Sequence, residues 1–282
     1  MRRPIDKSRS WDPALAGLRL SVVAASLASV SVPAQPAAAA TARWPDAANT
    51  GAPANVALQP SGELVITKPG AVVSGRDIHG AVTIKAPNVT IVDCRITAAG
   101  LGVVQIAPGV TGAIVKNSEI NGVGSDNAGS NGINGEGTFI GNNIYNVENG
   151  VNVTGPSVIR DNYIHDLLAS GSPHYDGVQI DGGHDVTISH NTIINPHGQT
   201  SAIMIDNYFS PVSNIKVDGN RLVGGGYTVY SDGRFKGGAV SGVSFTNNRM
   251  GKGRWGYSAF EKNSPVWRGN VDDRTGANLG SR

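Results

Sequence analysis

A chain of 282 residues with 23 Lys and Arg against 21 Asp and Glu has no charge excess of the kind that draws a protein to nucleic acid or a membrane surface. Its single cysteine, Cys94, excludes an intrachain disulfide. Glycine is abundant and aromatic residues are few, so Val, Ile and Thr must supply the core, which points to a β-rich, turn-rich fold without helical periodicity.

The start of the chain reads as an address. Arg2, Arg3, Lys7 and Arg9 precede a mostly apolar run over 15–32, interrupted by Arg19, and Ala38-Ala39-Ala40 follows. A basic start, an apolar stretch and small residues are the layout of a cleaved export signal. Residues 1–40 are therefore expected to be removed and the protein to be secreted or periplasmic. They hold five of the basic and two of the acidic residues, which leaves the remainder at a net charge of −1. No later stretch is long and apolar enough to span a bilayer.

Residues 41–62 read as an irregular lead-in, kept extended by Pro53 and Pro60 and expected to cover the open end of the fold. A repeat then occupies 63–276, with 277–282 left as a tail. Each unit carries a short apolar strand, a Gly, Pro or Asn turn, two or three β-branched residues, a small polar residue and then Ile or Leu. The units align as Val73…Ile78, Ile91…Ile96, Val115…Ile120, Phe139…Ile144, Ile159…Ile164, Ile188…Ile193, Val217…Leu222 and Phe245…Met250. Three places after the first residue of each pair stand Arg76, Cys94, Ser118, Asn142, Asn162, Asn191, Asn220 and Asn248, and Asn270 continues the series after Trp267. Spacings of roughly 18 to 29 residues suit a solenoid whose coil holds three short strands. The asparagines are expected to stack as an internal ladder and to occupy the left-handed position of a tight turn. Cys94, in the same column, is expected to be a buried small side chain.

The asparagine column, the Val-Thr-Ile phrases at 82–84, 89–91 and 186–188, and the export signal together resemble the right-handed parallel β-helix proteins of the pectate-lyase-like superfamily. The opening Trp-Pro-Asp-Ala-Ala-Asn-Thr-Gly from Trp44 and the closing Arg-Trp-Gly-Tyr-Ser-Ala-Phe from Arg254 resemble a bacterial branch of such secreted proteins. The resemblance covers about 45–276 and implies an all-β fold, a single right-handed parallel β-helix of about nine coils. It leaves the reaction open, because lyases, hydrolases, epimerases and adhesins share this fold.

Chemistry is expected where coils lengthen, at 122–132, 167–176 and 195–201 and after Asp206 and Ser231. Aligning the first strands sets Gln105, Asn152, Gln179 with Asp181, and Met204 with Asp206 on one outward face. Stacked coils lie about 4.8 Å apart, so Asp181 and Asp206 are neighbours whose repulsion needs a cation, a shared proton or a basic side chain. His174 and Asp176 enter the same region.

Three readings stay open. In the first, Asp176, Asp181 and Asp206 hold Ca2+, the one cofactor the pattern allows. The resembling lyases imply that such an ion neutralises a uronate while Lys236 or Lys262 removes a proton by β-elimination, with Asp181, Asp206 and Tyr208 assisting. In the second, Asp181 and Asp206 are the paired acids of a glycoside hydrolase. In the third, the acids only solvate a surface on a glycan-binding protein without turnover. His174, Gln179, Tyr230, Arg234 and Lys262 are the expected substrate contacts, Arg234 and Lys236 suiting an acidic polysaccharide. A monomer with no nucleic-acid or membrane partner is expected. His184, Asp185 and His190 fall around a bend from Asp181, so a zinc site is not expected.

Overall fold

Alternating Val, Ile and Thr segments only a few residues long bury one side each and cannot fold alone, so they stack on copies of themselves. In the computed structural model, which describes residues 43–124 and 129–280, every regular element is a strand and every pairing between named strands is parallel. The described residues wind as a parallel β-helix of nine coils. The expected export signal, residues 1–40, lies outside the described residues.

Three ladders form the three faces. On the first face Leu64, Val82, Val104, Ile133, Val151, Val178, Ile203, Val229 and Ser258 pair in succession. On the second, Val73, Ile91, Val115, Phe139, Ile159, Ile188, Val217, Phe245 and Trp267 do so. On the third, Ser61 is followed by Ile78, Ile96, Ile120, Ile144, Ile164, Ile193, Leu222, Met250 and Asp272. Residues aligned by the repeat are thus register partners. Most point inward and are fully buried, each contributing about 1.5–3 kcal/mol through burial of apolar surface.

The polar column between the second and third faces is a continuous hydrogen-bonded stack. The side-chain amides of Asn142, Asn162, Asn191 and Asn220 each donate to the Oδ1 of the next at 2.9–3.0 Å, ending on Asn248, which donates to Asn270 at 3.0 Å. Each also donates to a carbonyl of the preceding coil, as Asn191 does to Ile159 at 2.9 Å. Toward the N-terminus Ser118 and Cys94 continue the stack, and the Cys94 thiol is buried against the Val92 carbonyl. Burial pushes that thiol up from its ordinary value. The left-handed position, however, belongs to the residue before each rung: Gly75, Asp93, Asn117, Gly141, Asp161, His190, Gly219, Asn247 and Gly269 all have φ between 46° and 67°. The chain turns first, and the ladder amide then points inward from ordinary backbone.

A second buried polar row stands where strands enter the first face. Asn149 donates to Asn131 at 3.2 Å, the Asp176 amide donates to Asn149 at 3.2 Å, and Ser201 donates to Asp176. The glycine after each of the first three cannot be replaced freely: a Cβ on Gly132, Gly150 or Gly177 would lie within 2.4 Å of Ile144, Ile164 or Ile193.

The lead-in does not lie over an open end. It runs along the flank of the coils, with Trp44 stacked on His190 at 5.3 Å, the Gly51 amide bonded to the Gly141 carbonyl at 2.9 Å, and Val56 beside Gly75. A polar turn row offers it donors and acceptors there. The tail from 277 is likewise part of the fold up to 280: Asn278 bridges antiparallel to Val271, and the Leu279 amide bonds to the Asn270 carbonyl. Asp273 beside it holds Arg221 at 2.9 Å and Arg249 at 3.4 Å.

Candidate functional site

In five first-face strands the fourth residue points outward between two buried neighbours: Gln105 in Gly102–Ile106, Asn134 in Asn131–Ile140, Asn152 in Asn149–Arg160, Gln179 in Asp176–Ile180 and Met204 in Ser201–Ile205. Asn134 donates to Gln105 at 2.8 Å and Asn152 donates to Asn134 at 2.9 Å, so the floor begins as a row of amides. Two residues further along the later strands the floor becomes acidic. Asp206 bonds through its amide to the Ile180 carbonyl, which sets it one rung above Asp181, and it bridges in parallel to Asp232 on the next rung. Asp181, Asp206 and Asp232 are therefore a column, whose third member the repeat alignment does not mark. The Asp that follows Tyr230-Ser231 is its only signal in the sequence.

The three acids are treated differently by their surroundings. Asp181 receives both hydrogen bonds that the Gln179 amide nitrogen donates, at 3.0 and 3.1 Å. Burial raises its carboxyl and the Gln179 bonds hold it back. Asp206 receives the Tyr208 amide at 2.9 Å, yet burial, the charge of Asp181 and that of Asp232 push it up to about 7. Asp232 is as buried, but Arg234 grips it through Nε and Nη2, the shortest contact 2.6 Å. Burial works to raise this carboxyl too; the hydrogen bonds and charge of Arg234 outweigh it and leave Asp232 below its ordinary value.

Asp176 is not a loop residue but a rung of the inner polar row, 2% exposed, with the Ser201 hydroxyl and amide on its Oδ1 at 2.7 and 3.0 Å. Burial raises it well above the usual carboxylate range, opposed by Ser201 and reinforced by Asp181 and Asp206. It nevertheless lines the same hollow of about 410 Å³ as His174, Gln179, Asp181, Asp206 and Tyr208. Five expected residues are thus brought together with Asp176. His174 is exposed, its ring nitrogen 3.8 Å from Glu148.

The expected basic residues stand outside the hollow that Asp176, Asp181 and Asp206 line. Arg234 and Lys236 line an adjoining hollow with Tyr208 and Phe235, and Arg234 is committed to Asp232. Lys262 sits in the turn after Gly256–Glu261 and lines neither hollow, although its charge is felt by Asp232. Tyr230 is half-buried one rung beyond Met204, edge-on to Tyr227 at 5.5 Å, and lines neither hollow. A third hollow, about 200 Å³ between Asn152, Asp181, Gly183 and Phe209, continues the groove toward the amide floor.

Asp176, Asp181 and Asp206, the set expected for Ca2+, line one hollow. Among the described residues no three His, Cys, Asp or Glu side chains are grouped to hold one metal ion, and one oxygen of Asp176 is already filled by Ser201. His184 and Asp185 pair with each other on the exposed flank, and His190 pairs with Asp161 at 2.7 Å, away from the groove.

Two features of the site are not legible in the repeat. Phe209 and Phe235 are exposed and lie edge-on to Tyr208, with centroids at 4.8 and 5.4 Å. The buried Asn207 joins the two loops that carry them, its Oδ1 accepting from the Phe235 amide and its Nδ2 donating to the Phe235 and Gly238 carbonyls. Comparison with protein-family models, curated proteins and solved structures returned no match.

Proposed function

We propose that this chain is an exported glycan-cleaving enzyme of the hydrolytic kind, with Asp206 as general acid and Asp181 as its carboxylate counterpart. One observation carries the reading: two carboxylates on adjacent rungs of an open groove have unlike surroundings. Asp206, pushed up to about 7, holds its proton near neutral pH. Burial raises Asp181 as well, and the bonds that Gln179 donates draw it back toward the ionised form. Paired carboxyl groups whose environments separate their proton affinities divide into an acid and a base or nucleophile. Asp206 gives its proton to the glycosidic oxygen as the bond breaks, and Asp181 attacks the anomeric carbon or takes a proton from the water that does. A linear groove of three adjoining hollows suits a polymer. The resemblance to pectate-lyase-like β-helix proteins and the export signal support a glycan outside the cytoplasm.

β-Elimination on an acidic polysaccharide is the second reading, favoured by the hollow that Arg234, Lys236 and Tyr208 share next to the acids. In it Lys236, unprotonated, is the base and the Arg234 cation holds the uronate. Incubation with neutral, amino and acidic glycans separates the readings. New reducing ends without ultraviolet absorbance mean hydrolysis, absorbing unsaturated ends mean elimination, and neither means a binding protein. Under hydrolysis Asp206→Asn lowers turnover by about a thousandfold, the order of a lost general acid, with the thermal melt retained. Undiminished turnover in that variant would remove Asp206 from the chemistry.

A further inference from the structure

We propose that the groove is built for a glycan carrying free amino groups, with the sugar ring seated on the Tyr208, Phe209 and Phe235 wall and its ammonium held by the Asp181 carboxylate opposite. This rests on the reading of the groove as a glycan site and names its substrate class.

The first observation is an imbalance of hydrogen-bonding capacity. Asp176, Asp181 and Asp206 line one hollow, and among the described residues no Lys or Arg lines it with them. The Arg234 guanidinium is spent on Asp232, Lys236 lies in the adjoining hollow, and the His174 ring is directed to Glu148. Within the hollow, Asp176 and Asp206, both more than nine-tenths buried, each receive protein donors on Oδ1 alone. Their Oδ2 atoms have no hydrogen-bond donor among the described residues, and Asp181 has Gln179 alone. An ammonium offers three donors and no acceptor, which complements the Asp181 carboxylate, whose acceptors are met by Gln179 alone. A uronate sets its carboxylate against that of Asp181 in a hollow that no described Lys or Arg lines.

The second observation is independent of charge. Phe209 is 76% exposed, Tyr208 58% and Phe235 43%, in loops that the buried Asn207 ties together. The Phe209 amide bonds to the Asp181 carbonyl at 2.8 Å, fixing the wall to the acid rung. Three large rings held out in water at a cost have a use if a ligand covers them. Aromatic faces attract cations as well as the apolar face of a sugar, and the attraction grows as water is displaced.

The test is calorimetric titration of the whole chain with a glucosamine oligosaccharide, its fully N-acetylated counterpart and a galacturonate oligosaccharide of equal length. The amino form is expected to bind about tenfold more tightly than the acetylated form, a difference of about 1.4 kcal/mol, with the uronate bound weakest. Asp181→Asn should erase the preference, and Phe209→Ala with Phe235→Ala should weaken amino and acetylated forms alike. Equal affinity for the amino and acetylated forms, or tighter binding of the uronate, overturns the proposal. Reducing ends are assayed on the same sugars. Amino preference without cleavage supports this inference and defeats the hydrolase, whereas cleavage without amino preference keeps the hydrolase and defeats the inference.

Discussion

Two columns of polar side chains run along this helix, one inside and one in the groove, and they solve stacking in opposite ways. An amide has a donor and an acceptor, so Asn142, Asn162, Asn191, Asn220, Asn248 and Asn270 satisfy one another indefinitely. A carboxylate has acceptors only, so Asp181, Asp206 and Asp232 cannot. Each needs something different from outside the column: Gln179 for the first, Arg234 for the third, and a retained proton for the second. The scaffold is where the repeat closes on itself, and the chemistry is where it leaves a remainder.

The largest break comes in the inner column. Asn191→Ala strands the backbone and side-chain donors of Asn162 and takes the amide donor from Ile159 and one of two donors from Asn220, and at about 1–3 kcal/mol per buried group it is expected to cost about 5 kcal/mol in denaturant unfolding. Asn191→Asp sharpens the contrast, since an acceptor-only rung loses the donated bonds while keeping the volume. A loss under about 1 kcal/mol for Asn191→Ala would mean that the stack is ornamental.

The groove column is expected to respond the other way, gaining stability when its charge is removed. The Asp206 carboxyl sheds its proton near its ordinary 3.8 when unfolded and near 7 when folded. Between those values the folded chain binds more protons, so stability falls as pH rises from about 4 to about 7 and stays low above that. Asp206→Asn should therefore raise the melting point at pH 8 and leave it nearly unchanged at pH 4. Allowing for screening in an open groove, the gain is about 2 kcal/mol. A flat difference across pH would contradict the raised carboxyl. The smallest effect concerns the third rung. Arg234→Gln removes the cation that holds Asp232 down, and carboxyl NMR titration should show Asp232 rising toward Asp206 with little change in melting point.

The repeat makes the interior readable because burial forces the same residue types into the same place in every coil. Ile188 and Asn191 are legible from that recurrence alone. The left-handed position escapes by one residue because Gly, Asp, Asn and His share it, with no single side chain to mark the column. Asp176 reads as a loop residue by its place after a long insertion, although Asn131-Gly132, Asn149-Gly150 and Asp176-Gly177 are one phrase, the acid standing in an amide's place. Phe209 and Phe235 belong to loops that occur once each, and a feature without a second copy leaves no pattern. Sequence distance puts Arg234 and Lys236 near the acids, but pairing with Asp232 turns one of them aside.

The lead-in also bears on the order in which the protein is made. Trp44 emerges from the ribosome before any coil exists, yet the ring it stacks on, His190, belongs to the sixth left-handed turn, and Gly51 docks at the fourth. A bare solenoid could zip up coil by coil, each needing only its predecessor. Here the earliest residues of the domain must wait for six coils to form, then close along them like a latch. Local, sequential growth becomes a long-range event at its end, and the first part of the domain synthesised is among the last to find its place.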